Sequence, residues 1–551
     1  MTDTSRQSPF VTEFTPKLIT VLREGYGLRD LRADALAGLT VAIVALPLSM
    51  AIAIASGVGP ERGLYTAIVG GVLVSALGGS RFQVGGPAGA FIVLISACVM
   101  AIGLDGLILA TFLSGVLLVA AGVLRLGTYI RYIPYPVTVG FTAGIAVIIL
   151  ASQIREMFGM TLAGQEPGEI IAKMEALWAA RGTVNWAAVA MAGLTVGLIL
   201  GLRRVRPHWP GMLIAVVVVS VLTAVAGLPV ETISSRFGAL PHLLPTPALP
   251  GLGRDAVLAA LPWGMSFALL GAIESLLSAV VADGMSGARH RSNAELVAQG
   301  VANMGSAVFG GFCVTGTIAR TATNVRAGSH GPVSGMLHAV FLLVFLMVAA
   351  PLAGFIPLAA LAGVLAVVAW GMAEKEEVWA LIRSSRGDAL VVIVTFLLVV
   401  FRDLTEGIVV GFALGGLVFI RRMSEAVTVR PVEEERHYDP VVHAREGRVI
   451  YHLHGPYFFG AAAQLGAVLE RIAEAPRALV IDLSDVPLID SSGARGFERL
   501  GHKIARRGGQ LFLIGAQPEV QRVLQAQGAS EPLVRYLADL KAVDDSIAAV
   551  E

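Results

Sequence analysis

Two ionisable residues stand inside long apolar runs, and their chemistries are complementary. Arg320 closes the run that begins at Phe312, and Glu274 lies in the run from Leu269 to Ser275 with no other acidic residue until Asp283. An arginine at membrane depth costs at least about 2.5–3.5 kcal/mol on insertion scales, so some interaction should offset it. Its planar fork suits a carboxylate or a sulfate. The competing reading is that Arg320 pairs permanently with Glu274 or caps carbonyls. Glu274 is the candidate proton site of the chain, a group able to bind and release a proton as a site opens and closes; the competing reading is a fixed structural pair or a helix contact.

Arg320 follows a pattern that occurs twice. Phe-x-Val-x-Gly stands at Phe82, Val84 and Gly86 and again at Phe312, Val314 and Gly316, each time interrupting an apolar segment. At membrane depth a backbone can leave helical hydrogen bonding only where it lines a cavity or is buried in protein. Helix-compatible runs follow both breaks, from Ala88 to Ile102 and from Ile318 to Ala327. Each would offer the N–H groups and positive dipole end of a half-helix. Pro87 suits the first turn because it has no N–H to leave unpaired. Gly86, Ala88, Gly89 and Ala90 at one break, and Gly316, Thr317, Ile318 and Ala319 at the other, are small or expose amides, so an anion could approach the backbone. Pro47 in the first apolar run marks a kink that would free backbone groups towards the same place, though proline kinks are common in spans. Paired interruptions in corresponding halves point to a midplane substrate site of a secondary transporter.

The elements that must position these residues are membrane spans. The 551 residues are 55% hydrophobic and 15% charged, with a mean hydropathy of +0.74, which excludes a soluble globule. A net charge of +1, with basic residues scattered through short loops and forming no patch, gives no reason to expect nucleic acid. Cys98 and Cys313 lie in apolar segments without partner spacing, so neither disulfide nor metal is expected. The polar, basic stretch to about Asp34 argues against a cleaved signal peptide. Against the roughly 20 residues that cross a bilayer, spans fall near 35–57, 63–79, 83–102, 106–125, 133–153, 185–202, 211–228, 261–282, 293–310, 313–328, 332–352, 356–373, 388–403 and 405–421. These make two inverted sets of seven, repeat one at about 35–228 and repeat two at about 261–423, after a cytosolic segment 1–34. Arginine and lysine crowd one set of loops, which by the positive-inside rule places both termini in the cytoplasm. The stretches 155–184 and 229–258 are then external loops.

Beyond Arg422 the sequence becomes charged, starting with Glu433, Glu434 and Glu435. Strands Arg448–His454, Ala478–Leu483 and Gln510–Ile514 should alternate with helices after Gly460, after Asp490 and from Pro518, giving a cytosolic α/β domain at 438–551. His452 and His454 share a strand face, but two histidines alone do not define a metal site, so no metal is expected. No lysine stands in a Walker-type loop, and no nucleophile–base pair or cofactor motif is present, so neither enzyme activity nor a cofactor is expected.

The run Pro60, Gly63, Leu64, Tyr65, Thr66, Ala67 with Gly78, Gly79, Ser80, Arg81, and the stretch Asn293, Glu295, Leu296, Gly300, Asn303, resemble the SulP family of sulfate-permease-type anion transporters. Arg62 departs from the tyrosine usual there. The tail resembles a STAS domain around Asp482-Leu483-Ser484 and Asp490-Ser491-Ser492-Gly493. The resemblance implies a polytopic α-helical protein of fourteen spans as a seven-plus-seven inverted repeat, with core and gate domains, plus the STAS domain. It also implies a homodimer and an anion site between the third and tenth spans with contributions from the first and eighth. Ser492 matches a serine phosphorylated in related antagonist proteins; the plainer reading is a capped helix N-terminus. The first span and Gly271 to Leu277 look most like bacterial members that carry C4-dicarboxylates such as fumarate. The expectation is therefore a proton-coupled dicarboxylate symporter of the bacterial inner membrane, with sulfate or bicarbonate transport as an alternative. An uncoupled anion channel and a STAS-based signalling protein are further alternatives. Glu295 and Asn303 are expected to serve packing or the cytoplasmic edge.

Overall fold

The computed structural model describes residues 13–130, 133–164, 166–207, 209–402, 404–425, 428–431, 448–458 and 478–548. The chain divides into two compact units, Met1–Phe412 and Ala413–Glu551. The expected helix after Gly460 and the acidic run at 433–435 lie outside the described residues.

Among the described residues a helical segment occupies each of the fourteen intervals read from the sequence, the last running from the first unit into the second, and eight helices are long and apolar enough to cross a membrane. Helix α1 is Leu28–Ala55 with Pro47 inside it. The second segment runs from Pro60 to Leu77 with one π-helical turn at Thr66–Gly70. The third and fourth are one run, α2 (Ile92–Val123), broken where Gly103 takes φ 71°; only glycine adopts that conformation at little cost. Then follow α3 (Tyr135–Met157), α4 (Trp186–Val205), α5 (Gly211–Ala226), α6 (Arg254–Ser286) and α7 (Ser292–Val308). The tenth segment is only α8 (Ile318–Arg326), shorter than the expected 313–328 because an extended piece precedes it. Helices α9 (Val333–Ala353), α10 (Leu358–Met372), α11 (Arg386–Phe401) and α12 (Leu404–Glu425) complete the series. The stretch 155–184, expected as a loop, carries a helix at Ile170–Ala179.

The packing sorts the helices into two groups. Helix α2 packs on α6 and α7, α1 on α9, and α8 on α6 and α1; α3 packs on α10 and α11, and α4 on α10 and α5. The first group is tight because small residues face one another: a Cβ on Gly115 would fall 2.6 Å from the Gly300 carbonyl oxygen, and one on Gly300 2.5 Å from that of Gly115. In lipid, where apolar burial between helices gains little, such close approach supplies the association energy. Across the groups, α1 meets α10 and α5.

In the second unit a sheet of order β3 (Thr428–Pro431), β4 (Arg448–His454), β5 (Ala478–Asp485), β6 (Gln510–Ile514), β7 (Val534–Leu537) is parallel except for β3 against β4. Alternate residues of β5 feed two cores. Leu479, Ile481 and Leu483 join Phe497 of α13 (Ser491–Ala505) on one face, while Ala478 and Val480 join Val543 on the other. Burial on both faces is the signature of a parallel sheet. Helix α14 (Pro518–Ala526) follows β6.

Candidate functional site

The two sequence breaks are paired with each other. Gly85–Gly86 (β1) and Thr315–Gly316 (β2) form an antiparallel ladder, Gly85 opposite Gly316 and Gly86 opposite Thr315. A ladder of two residues leaves most of the broken backbone unpaired, and buried side chains take up the remainder. Asn303 of α7 brackets Val314, donating to its carbonyl at 2.8 Å and accepting from its N–H at 2.9 Å. Phe312 donates to Thr66 Oγ1 at 2.9 Å and accepts from Ser306 Oγ at 2.7 Å. At the first break Glu295 accepts from the Ser80 N–H at 3.0 Å and from Gln83 Nε2 at 2.9 Å. Val84 donates to Thr321 Oγ1 at 3.2 Å, and Asn324 donates to the Phe82 carbonyl at 2.9 Å. The packing roles expected of Glu295 and Asn303 are thus specific: both hold non-helical backbone in place.

Past each break a helix begins. A 3₁₀ turn at Gly89–Phe91 leads into α2, and Thr317 precedes α8. The Thr317 amide is already committed to the Val84 carbonyl at 3.2 Å, so of the trio expected to offer amides only Ile318 and Ala319 remain. Gly86, Pro87, Ala88 and Thr317 are buried.

Arg320 is 1% exposed. Its Nη2 donates to Ser49 Oγ at 3.0 Å and to the Pro87 carbonyl at 3.3 Å, while Nε and Nη1 have no partner. Ser49 stands two residues beyond Pro47 in α1, and its own hydroxyl donates to the Ala45 carbonyl at 2.7 Å. Arg320 therefore does cap a carbonyl, but it forms no ion pair with Glu274. A buried guanidinium with two unused donors, next to the starts of two helices, is arranged to receive an anion. Glu274 is 6% exposed on α6. The same helix meets the second break, where Thr315 Oγ1 donates to the Gly271 carbonyl at 3.3 Å. The structure so brings together α1, the third and tenth segments and α6. Sequence reading missed Ser49, Gln83, Thr321 and Asn324, whose signal was polarity inside apolar runs.

A cavity of about 430 Å³ opens between the helix groups, lined by Ala51 and Ile54 of α1, Ser96 and Val99 of α2, Gln153 of α3 and Leu361 of α10. Towards its mouth Arg236 pairs with Glu156 at 2.6 Å and Lys173 with Glu166 at 2.9 Å.

In the second unit Asp490 caps α13 by accepting from the Gly493 N–H at 2.7 Å, and Ser492 is exposed in the first turn. Asp490→Ala should lower the stability of that unit by about 0.5–2 kcal/mol, readable as an earlier loss of its helical signal on denaturant titration. Arg499, His502, Lys503, Arg506 and Arg507 gather around one surface cavity; the five fall within nine consecutive positions, a basic patch that corrects the reading of basic residues as merely scattered.

The sulfate permease family model matches residues 31–395 and the STAS domain model residues 439–538. The chain belongs to the sulfate permease family. A Bacillus subtilis (strain 168) protein carried under the provisional name sulfate transporter YvdB is 40% identical over 92% of this chain and 95% of its own. The bicarbonate transporter BicA of Synechocystis is 29% identical over 90% of each chain. Among solved structures, SLC26A9 superposes with a TM-score of 0.84 at 18% identity, over 98% of this chain and 93% of its own. The transmembrane domain of a cyanobacterial BicA covers 71% of this chain and 98% of its own at TM-score 0.62 and 29% identity. The fold is that of an SLC26A9-like transmembrane protein with a C-terminal STAS domain, and the protein is a membrane anion transporter, not an enzyme.

Proposed function

We propose that the protein moves a small inorganic oxyanion, sulfate in the first instance, by alternating access of the group carrying β1 and β2 against the group built on α3 and α10. The observation that carries this reading is the buried Arg320 fork, held by Ser49 and Pro87 with two donors free. A tetrahedral or planar oxyanion can accept from the unpartnered Nη1 N–H groups. The relatives matched over nearly the whole chain are named for sulfate and bicarbonate, which favours an inorganic anion over the C4-dicarboxylate suggested by the first span and by Gly271 to Leu277. Bicarbonate is the second reading, favoured by the BicA likeness.

In this reading Pro47, Gly86, Pro87, Ala88, Gly89, Gly316, Thr317, Ile318, Ala319 and Arg320 form the anion site, and Glu274 carries a coupling proton. The protein works in the bacterial inner membrane as a homodimer with both termini in the cytoplasm, where the STAS unit regulates it, with Ser492 as a point of phosphorylation.

The test is uptake of labelled sulfate into proteoliposomes under an imposed inward proton gradient, competed with bicarbonate, succinate and fumarate. Wild type should concentrate sulfate when the gradient is present. Glu274→Gln should lose gradient-driven accumulation by at least about tenfold while still binding the anion. Flux that ignores the gradient in both proteins would mark an uncoupled channel, and competition by fumarate alone would restore the dicarboxylate.

A further inference from the structure

The second unit contains a cluster that anion transport does not use. His452 and His454 lie on one face of β4, as alternation along a strand requires. Asp482 and Asp485 of β5 are three residues apart and in a regular strand would face opposite ways. The register of β4 against β5 slips between them: His452 stands opposite Asp482, but His454 stands opposite Asp485. Such an irregularity re-aims side chains, and here it turns both carboxylates towards the histidines. His452 Nε2 lies 2.9 Å from Asp485 Oδ2, and His454 Nδ1 lies 3.4 Å from the same atom. His452 Nδ1 lies 3.1 Å from Asp482 Oδ2.

We infer that His452, His454 and Asp485 form a binding site for a divalent transition ion of the Zn²⁺ class, with Asp482 positioning His452 from behind. One potential ligand atom from each of the three residues lies within 4.8 Å of the other two. A tetrahedral ion with bonds of about 2.0–2.1 Å has ligand–ligand edges of about 3.3 Å, and the measured 2.9 and 3.4 Å fall on either side of that value. Two imidazoles and one carboxylate leave the fourth position to water or to a partner's side chain. Asp482 supplies the carboxylate that a metal-binding histidine usually has on its other nitrogen: Nδ1–H donates to it, so Nε2 presents its lone pair outward. Asp482 is itself fixed, its Oδ1 accepting from the Ser484 N–H at 2.9 Å and the Ser484 hydroxyl at 2.6 Å. The histidine pair supplied only two ligands in the sequence; the slipped register supplies the third.

The test uses the full-length protein in detergent, free of tag histidines, titrated with Zn²⁺ against a chromophoric chelator. It requires no transport, so it stands apart from the reading of the anion site. Wild type should bind one equivalent, and His502→Ala should match it. His452→Ala and Asp485→Asn should lose that equivalent, while Asp482→Asn should weaken it by about 10–100-fold. Asp485→Cys, which restores an anionic ligand at the same place, should bind again. No stoichiometric binding by wild type, or binding undiminished in His452→Ala and Asp485→Asn, would overturn the site. Size-exclusion profiles matching wild type exclude misfolding as the cause of a loss.

Discussion

Arg320→Met should abolish saturable anion uptake without weakening the fold. The guanidinium is buried, and no carboxylate partners it among the described residues; its hydrogen-bond partners there are Ser49 and the Pro87 carbonyl. Two of its donor atoms, Nε and Nη1, have no partner among the described residues. Hydrogen bonds to charged groups contribute about 1.5–3 kcal/mol each, so losing the Nη1 donation to the bound anion removes roughly 1.5–3 kcal/mol, between about ten- and a hundred-fold in affinity before the lost charge attraction is counted. The same burial makes the free protein pay for an unneutralised charge. Replacing a buried charge by an apolar side chain of similar volume is often neutral or stabilising, so the variant should melt no lower than wild type in anion-free detergent. Anion should raise the melting temperature of wild type by mass action and leave that of Arg320→Met unchanged. Wild-type uptake and anion-dependent melting in the variant would remove Arg320 from the site.

Gly86→Ala should impair transport almost as severely, through Arg320. A Cβ at position 86 would fall 1.8 Å from Nη1 and 2.9 Å from Cζ of Arg320. The atoms it meets are the end of a flexible side chain, so the guanidinium would swing away and the backbone need not move. The expected result is a rise in apparent KM of about tenfold or more with little change in melting temperature, because one or two charge-assisted bonds of roughly 1.5–3 kcal/mol are misaimed. If the effect runs through Arg320, adding Gly86→Ala to Arg320→Met should cost nothing further, and a double-mutant cycle reads that coupling. Additive losses would mean that Gly86 acts by another route. Gly316→Ala is a useful contrast, since its Cβ would meet the amide of Gln83 at 1.7 Å and so disturb the Gln83–Glu295 hydrogen bond instead.

Much of this arrangement could be read from the chain. The breaks announced themselves as Gly and Pro in runs otherwise apolar enough to span a bilayer, and Arg320 and Glu274 as charges without neighbours of like kind. The strands Arg448–His454 and Gln510–Ile514 were legible as short extended segments set between helical ones. What could not be read is everything that depends on contact between distant segments. No local signal says that β1 pairs with β2, that Ser49 rather than Glu274 holds Arg320, or that Asn303 clamps Val314. Polar residues such as Thr66, Gln83 and Thr321 looked like ordinary exceptions in apolar helices, because their partners, two backbone amides and the Glu295 carboxylate, are far away in sequence. The Asp485 contact with two histidines depends on a register slip, which alternation patterns cannot anticipate.

The pairing of the two breaks has a consequence for ancestry. Superposing the repeated motif makes Gly85 equivalent to Thr315 and Gly86 to Gly316, and the ladder joins Gly85 to Gly316 and Gly86 to Thr315. Each position meets the counterpart of its neighbour, which is the rule of a self-complementary contact about a two-fold axis. Two copies of a half-length chain inserted in opposite directions could make the same contact before any gene fusion joined them. Such a pair would have been constrained to identical halves. Arg320 falls where the first half has Ala90, so a single cation beside the ladder, on one half alone, is what duplication within one chain would allow.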